Sequence, residues 1–201
     1  MKFYLRPMEP GDVPRVAAID RVSFPTPWSP SAFQSELKRA SATYLVLLRG
    51  DEGEPTRDDK LSSPWLRRFF GLSLDSRIVG YVGFRVQSDH GHITTIALDP
   101  DWRGHGLGTY LLVVALSRMA SSGVQRVTLE MRPSNDVAYQ LYRRFGFEVV
   151  EYQRGYYRDG EDAWVMAVDM GEAAYQRQLD AWCEETRRGL DEQGIEASSV
   201  T

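Results

Sequence analysis

The alternation of apolar and polar side chains in FYLRPM (3–8) has the period of two expected of a strand with one buried face. A turn cluster, EPGD (9–12), leads into helical spacing through VPRVAAIDRVSF, and the prolines of FPTPWSPSAF bend the chain before a second helix over SPSAFQSELKRA (29–40). ATYLVLLRG (42–50) is a continuous apolar run, as in a strand covered on both faces. RIVGYVGFRVQ (77–87) and HITTIALD (92–99) read as strands on either side of the turn SDHG. GTYLLVVALSRMASSG (108–123) has helical spacing and ends on Gly123, a candidate C-cap. A strand over VQRVTLEMR (124–132), a capped helix over SNDVAYQLYRRFG (134–146), and a closing hairpin of FEVVEYQRGYY and EDAWVMAVDM follow.

This order predicts an α/β fold: a central mixed, largely antiparallel, twisted sheet with helices on both faces. Residues 1–170 form the domain, with an insertion at about 51–76. Residues 171–201 form a C-terminal helical extension in which Tyr175, Leu179, Trp182, Thr186 and Leu190 fall close to one face. That face docks on the domain, makes a dimer contact, or belongs to a frayed tail. The insertion begins polar and turn-rich, then turns apolar and basic in WLRRFFGL (65–72), which suits a short helix over the sheet or a contact for a partner.

Composition narrows the classes. At 201 residues, 42% hydrophobic and 26% charged, the chain can bury one sizeable core, and two domains would be cramped. A net charge of −4 argues against a general nucleic-acid binder. The single cysteine, Cys183, excludes an intramolecular disulfide and a multi-cysteine zinc site. No leader pattern and no apolar run of membrane-spanning length is present, so the expectation is a cytoplasmic protein with no membrane association, a monomer or weak dimer.

Chemistry concentrates after the strand HITTIALD, in Arg103-Gly104-His105-Gly106-Leu107-Gly108. A phosphate loop of the Walker type needs Lys-Ser or Lys-Thr after its last glycine, where this chain has Thr109 and Tyr110. The dinucleotide fingerprint needs a third glycine at 109. What remains is a strand, a glycine turn and a helix start whose unpaired amides suit a phosphate-bearing ligand, or a plain turn between strand and helix.

This loop resembles the pyrophosphate loop of the GNAT superfamily of acyl-CoA N-acyltransferases, and NDVAYQLYRRFGF (135–147) resembles that superfamily's second motif. FPTPWSPSAF, LEMRPSN, LYRRFGF and GYYRDGEDAWVMAVDM are similar to N-terminal protein acetyltransferases, most of all the bacterial RimI type, which acetylates the N-terminal alanine of a small-subunit ribosomal protein. The resemblance implies acetyl-CoA as cosubstrate, no metal, and a protein N-terminus as acceptor, possibly ribosomal. A lysine side chain or a small amine is the nearest alternative acceptor, and a coenzyme-A-binding module without turnover is the alternative from another class.

The resemblance also implies roles. Glu130 takes the place of the base and Tyr142 that of the proton donor, with Tyr139 one turn earlier as a decoy. Without the resemblance, Glu130 reads as a partner for Arg126 or Arg132, and Tyr142 as a core tyrosine. The backbone of Ile96, Ala97 and Leu98 is implied to meet the pantetheine arm, with the Leu98 amide facing the thioester oxygen. Arg103, Gly104, His105, Gly106, Leu107, Gly108 and Thr109 are implied to hold the pyrophosphate. Asn135 either touches the coenzyme or caps its helix, with Ser134 competing as cap. Trp28, Ser29, Tyr156 and Tyr157 match positions near the acceptor groove, as do Glu161 and Asp162, which also read as turn residues. On a strand, at most one of the adjacent tyrosines faces the acceptor. His90 and His92 share one face of a strand, and without a third ligand they suit a turn edge better than a metal.

Overall fold

The computed structural model describes residues 1–50 and 77–199, so the apolar segment WLRRFFGL lies outside the described residues. The described elements are β1 (Lys2–Pro7), α1 (Val13–Ser23), α2 (Pro30–Glu36), β2 (Ala42–Arg49), β3 (Ile78–Gln87), β4 (His90–Leu98), α3 (Leu107–Ser121), β5 (Arg126–Met131), α4 (Asp136–Arg144), β6 (Glu148–Gln153), β7 (Ala163–Asp169), α5 (Ala173–Glu192) and β8 (Glu196–Ser199). They build one eight-stranded sheet in the order β6-β7-β5-β4-β3-β2-β1-β8. Only β4–β5 and β1–β8 pair in parallel, which makes the sheet mixed and mostly antiparallel, as the pattern predicts.

Strand alternation divides the interior into two cores. On one face Tyr4, Val46, Leu48 and Tyr81 pack with Val13, Val16 and Ile19 of α1 and Phe33 of α2. On the other, Phe3, Leu5, Leu45 and Leu47 pack with α3 and with Leu179 and Leu190 of α5. Eight of the fifteen residues of α3 are buried, since it is sandwiched between the sheet and α5. Leu179 and Leu190 alone stabilise the docked α5 by roughly 1.5–3 kcal/mol each.

Helix ends explain the turns that aim the site. After α3, the Gly123 amide donates to the Ala120 carbonyl (2.9 Å) and the Val124 amide to that of Met119 (3.1 Å). This closes the helix as a Schellman motif on the glycine singled out in the sequence. The same pair of bonds ends α4, from Gly146 to Arg143 and from Phe147 to Tyr142, both 3.1 Å. It recurs after α5, from Gly194 to Asp191 and from Ile195 to Leu190, both 2.9 Å. That last turn buries Ile195 and delivers β8, an element absent from the sequence reading, alongside β1.

Two boundaries differ from expectation. α2 stops at Glu36, whose carboxylate turns inward to Arg39 (2.9 Å) and Arg85 (2.6 Å). β6 stops at Gln153, so Tyr156 and Tyr157 sit in a loop whose Gly155 and Gly160 have positive φ, and strand alternation does not apply to them. No helix among the described residues is long and apolar enough to cross a membrane.

Candidate active site

The parallel ladder between β4 and β5 is short. It joins His90–Ile93 to Arg126–Leu129 and stops, while β4 continues to Leu98 beside β3 and β5 continues to Met131 beside β7. Two adjacent strands thus part in the middle of the sheet. The register of β3 and β4 shifts at Gly83/Phe84, leaving Thr94 as an extra residue on β4, and such a bulge bends its strand. Tyr44 props the bulge: its hydroxyl is 3.0 Å from Thr94 Oγ1. Its ring crosses β3 at Gly83, where a Cβ would come within 2.2 Å of it, so no larger residue fits there.

The wedge opens into a cleft of about 600 Å³ lined by β4 from Ile93 to Leu98, by Leu129 to Arg132 of β5 and its end, by Asn135, Ala138, Leu141 and Tyr142, and by Trp28 and Tyr157. The Asp99 amide donates to the Val79 carbonyl (2.8 Å), so by strand alternation the amides of Ile96 and Leu98 turn away from β3 into the wedge, and that of Ala97 turns toward β3. Arg103 braces this wall. Its Nε donates to the Leu98 carbonyl (3.1 Å) and its Nη2 to Ser23 Oγ (2.9 Å), so its charge is committed to β4 and α1.

At the foot of the cleft, Gly104 (φ 79°) and Gly106 (φ 77°) take left-handed conformations, and Gly106 is the N-cap of α3. No side chain caps this end, so the first amides of α3, from Leu107 to Thr109, have no capping acceptor. A Cβ on Gly108 would make only an ordinary 3.7 Å contact with Leu98, so its bare backbone is not demanded by the chain's own packing. These features fit a pyrophosphate at the helix start. His105 is exposed beside the Trp102 ring (6.5 Å between centroids), and neither it nor Gly104, Gly106, Leu107 or Thr109 lines the cleft itself.

Glu130 stands on the cleft wall with 24% of its side chain exposed. Neither arginine considered as its partner holds it, because Arg126 pairs with Asp169 (2.7 Å) and Arg132 with Asp159 and Glu161. Its neighbour is His92, whose Nε2 lies 3.3 Å from Oε2. His92 thus adjoins Glu130 just outside the cleft lining, whereas His90 stays at the turn on Asp89 (2.8 Å). The parallel register His92↔Thr128 makes His92 and Glu130 diagonal neighbours on one face, which single-strand alternation cannot reveal.

Tyr142 is buried against Phe147 (5.7 Å between centroids), and among the described residues its hydroxyl makes no hydrogen bond. Burial, and secondarily Tyr157, push its phenol well above the ordinary value of 10, so it carries its proton at neutral pH. Tyr139 packs on Trp164 (5.3 Å) and does not line the cleft. Asn135 also lines the cleft, but its Oδ1 caps α4 by accepting from the Ala138 amide (3.1 Å). Ser134 bonds Glu161 instead (2.6 Å).

The acceptor candidates separate. Trp28 lines the cleft, packs on Phe33 (5.4 Å) and donates its backbone N–H to buried Asp20 (2.6 Å). Burial holds the Asp20 carboxyl above the ordinary carboxylate range, against bonds from Tyr81 and Trp28 that favour its charge. Ser29 lies outside the lining and caps α2, accepting from the Ala32 amide (3.2 Å). Tyr157 lines the cleft, and its phenol is raised to about 12, chiefly by burial. Tyr156 does not line it and is 50% exposed. Asp162 accepts from the Gly155 amide (2.8 Å), a turn role.

Arg132 ties these loops together. It is 9% exposed, pairs with Glu161 (2.5 Å) and Asp159 (2.9 Å), donates to Thr26 (3.0 Å) and stacks on the Tyr157 ring (3.8 Å). Among the described residues no group of three His, Cys, Asp or Glu side chains is arranged to hold a metal.

Known proteins resemble this chain in sequence and fold. The family model described as "Acetyltransferase (GNAT) family" matches residues 14–147. A putative ribosomal protein bS18-alanine N-acetyltransferase of Bacillus subtilis is 31% identical over 173 residues, covering 85% of this chain and 98% of the relative. The N-alpha-acetyltransferase RimI of Mycobacterium tuberculosis is 34% identical over 146 residues, 69% of this chain and 90% of the relative. The crystal structure of the ribosomal-protein-S18-alanine N-acetyltransferase of Escherichia coli superposes with a TM-score of 0.66 at 26% identity, covering 85% of this chain and 96% of that one. The parted strands, the glycine turn at an uncapped helix and the family match agree: this chain belongs to the GNAT family of acetyltransferases.

Proposed function

We propose that this chain is an acetyl-CoA-dependent N-α-acetyltransferase whose acceptor is the N-terminal residue, alanine, of a small-subunit ribosomal protein. The observation that carries the reading is the wedge between β4 and β5, with Glu130 and Tyr142 both on its walls and the uncapped start of α3 below. The names of the bacterial relatives, over most of their length, favour the ribosomal acceptor. Residues 1–170 carry the catalytic domain, and α5 and β8 complete its sheet and second core.

Acetyl-CoA supplies the acetyl group as a thioester. The amides of Leu107, Gly108 and Thr109 hold the pyrophosphate at the helix start. The wedge-facing amides of Ile96 and Leu98 align the pantetheine arm, and that of Leu98 stabilises charge developing on the thioester oxygen. An α-amino group has a pKa of about 7.7–8.0, so much of it is charged at neutral pH and a base raises the reactive fraction. Glu130 takes the amine proton, directly or through water, as the N–C bond forms and the C–S bond breaks. Tyr142, kept protonated by burial, gives its proton to the departing thiolate. Trp28 and Tyr157 flank the incoming peptide.

Thiol release from acetyl-CoA, followed with peptides differing in their first residue, tests this. Peptides beginning with Ala or Ser react and N-terminally blocked ones do not. Reaction only with blocked peptides bearing lysine would overturn the assignment. Glu130→Gln and Tyr142→Phe each lower kcat at least about tenfold, or ~1.4 kcal/mol, with coenzyme affinity retained.

A further inference from the structure

On the α3 side of the sheet a second cavity, of about 790 Å³, lies between β2 and β3 and the helices α3 and α5. It shares no lining residue with the cleft. Its outer wall comes from α5 and β8, through Cys183, Arg187, Ala197 and Ser198, all beyond the residues that the family model matches. Phe84 and Val86 of β3 with Val113 and Val114 of α3 form its apolar part. The polar part consists of serine, threonine and tyrosine hydroxyls together with Arg118 and Arg187, and among the described residues no Asp or Glu lines it. In a chain of net charge −4 this is a local reversal of sign.

Tyr110 makes the lining more than a charged surface. It is 9% exposed, and its hydroxyl has no hydrogen-bond partner among the described residues. Burying an unsatisfied hydroxyl opposes folding, so such a group stands out in a native interior. Burial pushes its phenol up to about 12, and Arg187 and Arg118 act against that shift, which puts both cations within electrostatic reach of it. Arg187 itself forms no ion pair among the described residues, although Glu184 and Asp191 stand three and four positions away on the same helix. We propose that this cavity binds an amphipathic anion: a carboxylate or phosphate head held by the Arg187 guanidinium and the Tyr110 hydroxyl, with an apolar chain along Phe84, Val86, Val113 and Val114. The site is separate from the acetyl-transfer cleft and does not rest on the reading of that cleft.

The chemistry of the lining selects this class of ligand. A guanidinium offers paired N–H donors to two oxygens of one head group, and a phenol that keeps its proton donates to a further lone pair. A cation would meet Arg187 with no carboxylate to offset it. A neutral lipid would cover that guanidinium without supplying an acceptor, which is costly. A bare inorganic anion would leave the valine and phenylalanine surface unmatched. Ser117 adds little to the head site, because its hydroxyl donates to the Val113 carbonyl (2.8 Å) and lies 3.2 Å from Cys183 Sγ. The volume is in the range of small-molecule sites.

The test is titration calorimetry of the full chain with octanoate, octyl phosphate, 1-octanol and inorganic phosphate, each with and without saturating acetyl-CoA. At least one of the two octyl anions saturates a single site with Kd below about 5 mM, and the tighter of them identifies the head group. The neutral alcohol and inorganic phosphate each bind at least about tenfold more weakly than that anion. Arg187→Glu, at an exposed position, weakens the anion at least about tenfold, and Tyr110→Phe, which removes only the hydroxyl, at least about threefold. Acetyl-CoA leaves the anion's affinity within about twofold. Any one of four results overturns the site: neither octyl anion saturating below about 5 mM, the alcohol or inorganic phosphate binding within about tenfold of the better anion, a smaller loss in either variant, or displacement of the anion by acetyl-CoA, which would place it in the cleft.

Discussion

The two sides of the cleft are built by different means. The proposed coenzyme side is local: residues 96–109 supply a strand edge, a turn with two left-handed glycines and the open end of α3, and what they offer a ligand is mostly backbone. The proposed acceptor side is assembled from afar. Arg132 gathers Thr26, Tyr157, Asp159 and Glu161, and its bond to Thr26 spans 106 residues of sequence. Backbone recognition of a constant ligand requires few particular side chains, so it is compact and repeats from protein to protein. Recognition of a variable peptide is delegated to side chains on loops, which change without disturbing the sheet.

The largest expected effect breaks the coenzyme side alone. Gly108→Asp places a carboxylate in the first turn of α3, where the added Cβ meets Leu98 only at ordinary contact distance. For the helix this is favourable, by about 0.5 kcal/mol, because a negative charge suits its N-terminus. For a diphosphate it is repulsive, and acetyl-CoA affinity falls about a hundredfold, or ~2.8 kcal/mol. Binding calorimetry and thermal unfolding should therefore move in opposite directions. Unchanged affinity would place the diphosphate elsewhere.

The same contrast explains what could be read from the chain. Sheet class, the helix over 108–121 and its Gly123 ending follow from periodicity and a glycine stop, both local signals. So does the glycine turn that opens α3, whose spacing carries its own geometry. β8 was invisible because Glu196–Ser199 has no apolar alternation and becomes a strand only when β1 offers a free edge. Tyr156 and Tyr157 were assigned to a strand that ends three residues earlier, at Gln153. Arg132 was missed as an organiser because its partners, Thr26, Tyr157, Asp159 and Glu161, lie in loops distant along the chain, and the His92–Glu130 contact was missed because parallel pairing of β4 with β5 leaves no mark in either strand alone.

A middle-sized effect breaks the acceptor side alone. Arg132→Met keeps most of the side-chain volume and its contact with the Tyr157 ring, but removes the cation that holds Asp159 and Glu161. The β6–β7 loop then loses its tie to Thr26, and the acceptor KM rises about tenfold while acetyl-CoA affinity stays within about twofold. Isothermal binding of coenzyme alongside peptide kinetics separates the two. A matching loss of coenzyme affinity would show that the halves are not independent.

The smallest effect sharpens the boundary of the acceptor side at Ser29. Family resemblance places this residue near the groove, yet its hydroxyl accepts from the Ala32 amide and meets Ser31 Oγ at 2.9 Å, at the start of a seven-residue helix. A cap acts on stability and a substrate contact acts on KM, so one substitution distinguishes them. Ser29→Ala costs about 1 kcal/mol in unfolding free energy, the usual value of a lost N-cap, and leaves the acceptor KM within about twofold. Ser29→Asn, which caps as well as serine, restores the stability. If denaturant melts are unchanged in Ser29→Ala and the acceptor KM rises instead, the hydroxyl belongs to the groove, and α2 contributes a side chain to recognition as well as the Phe33 packing that supports Trp28.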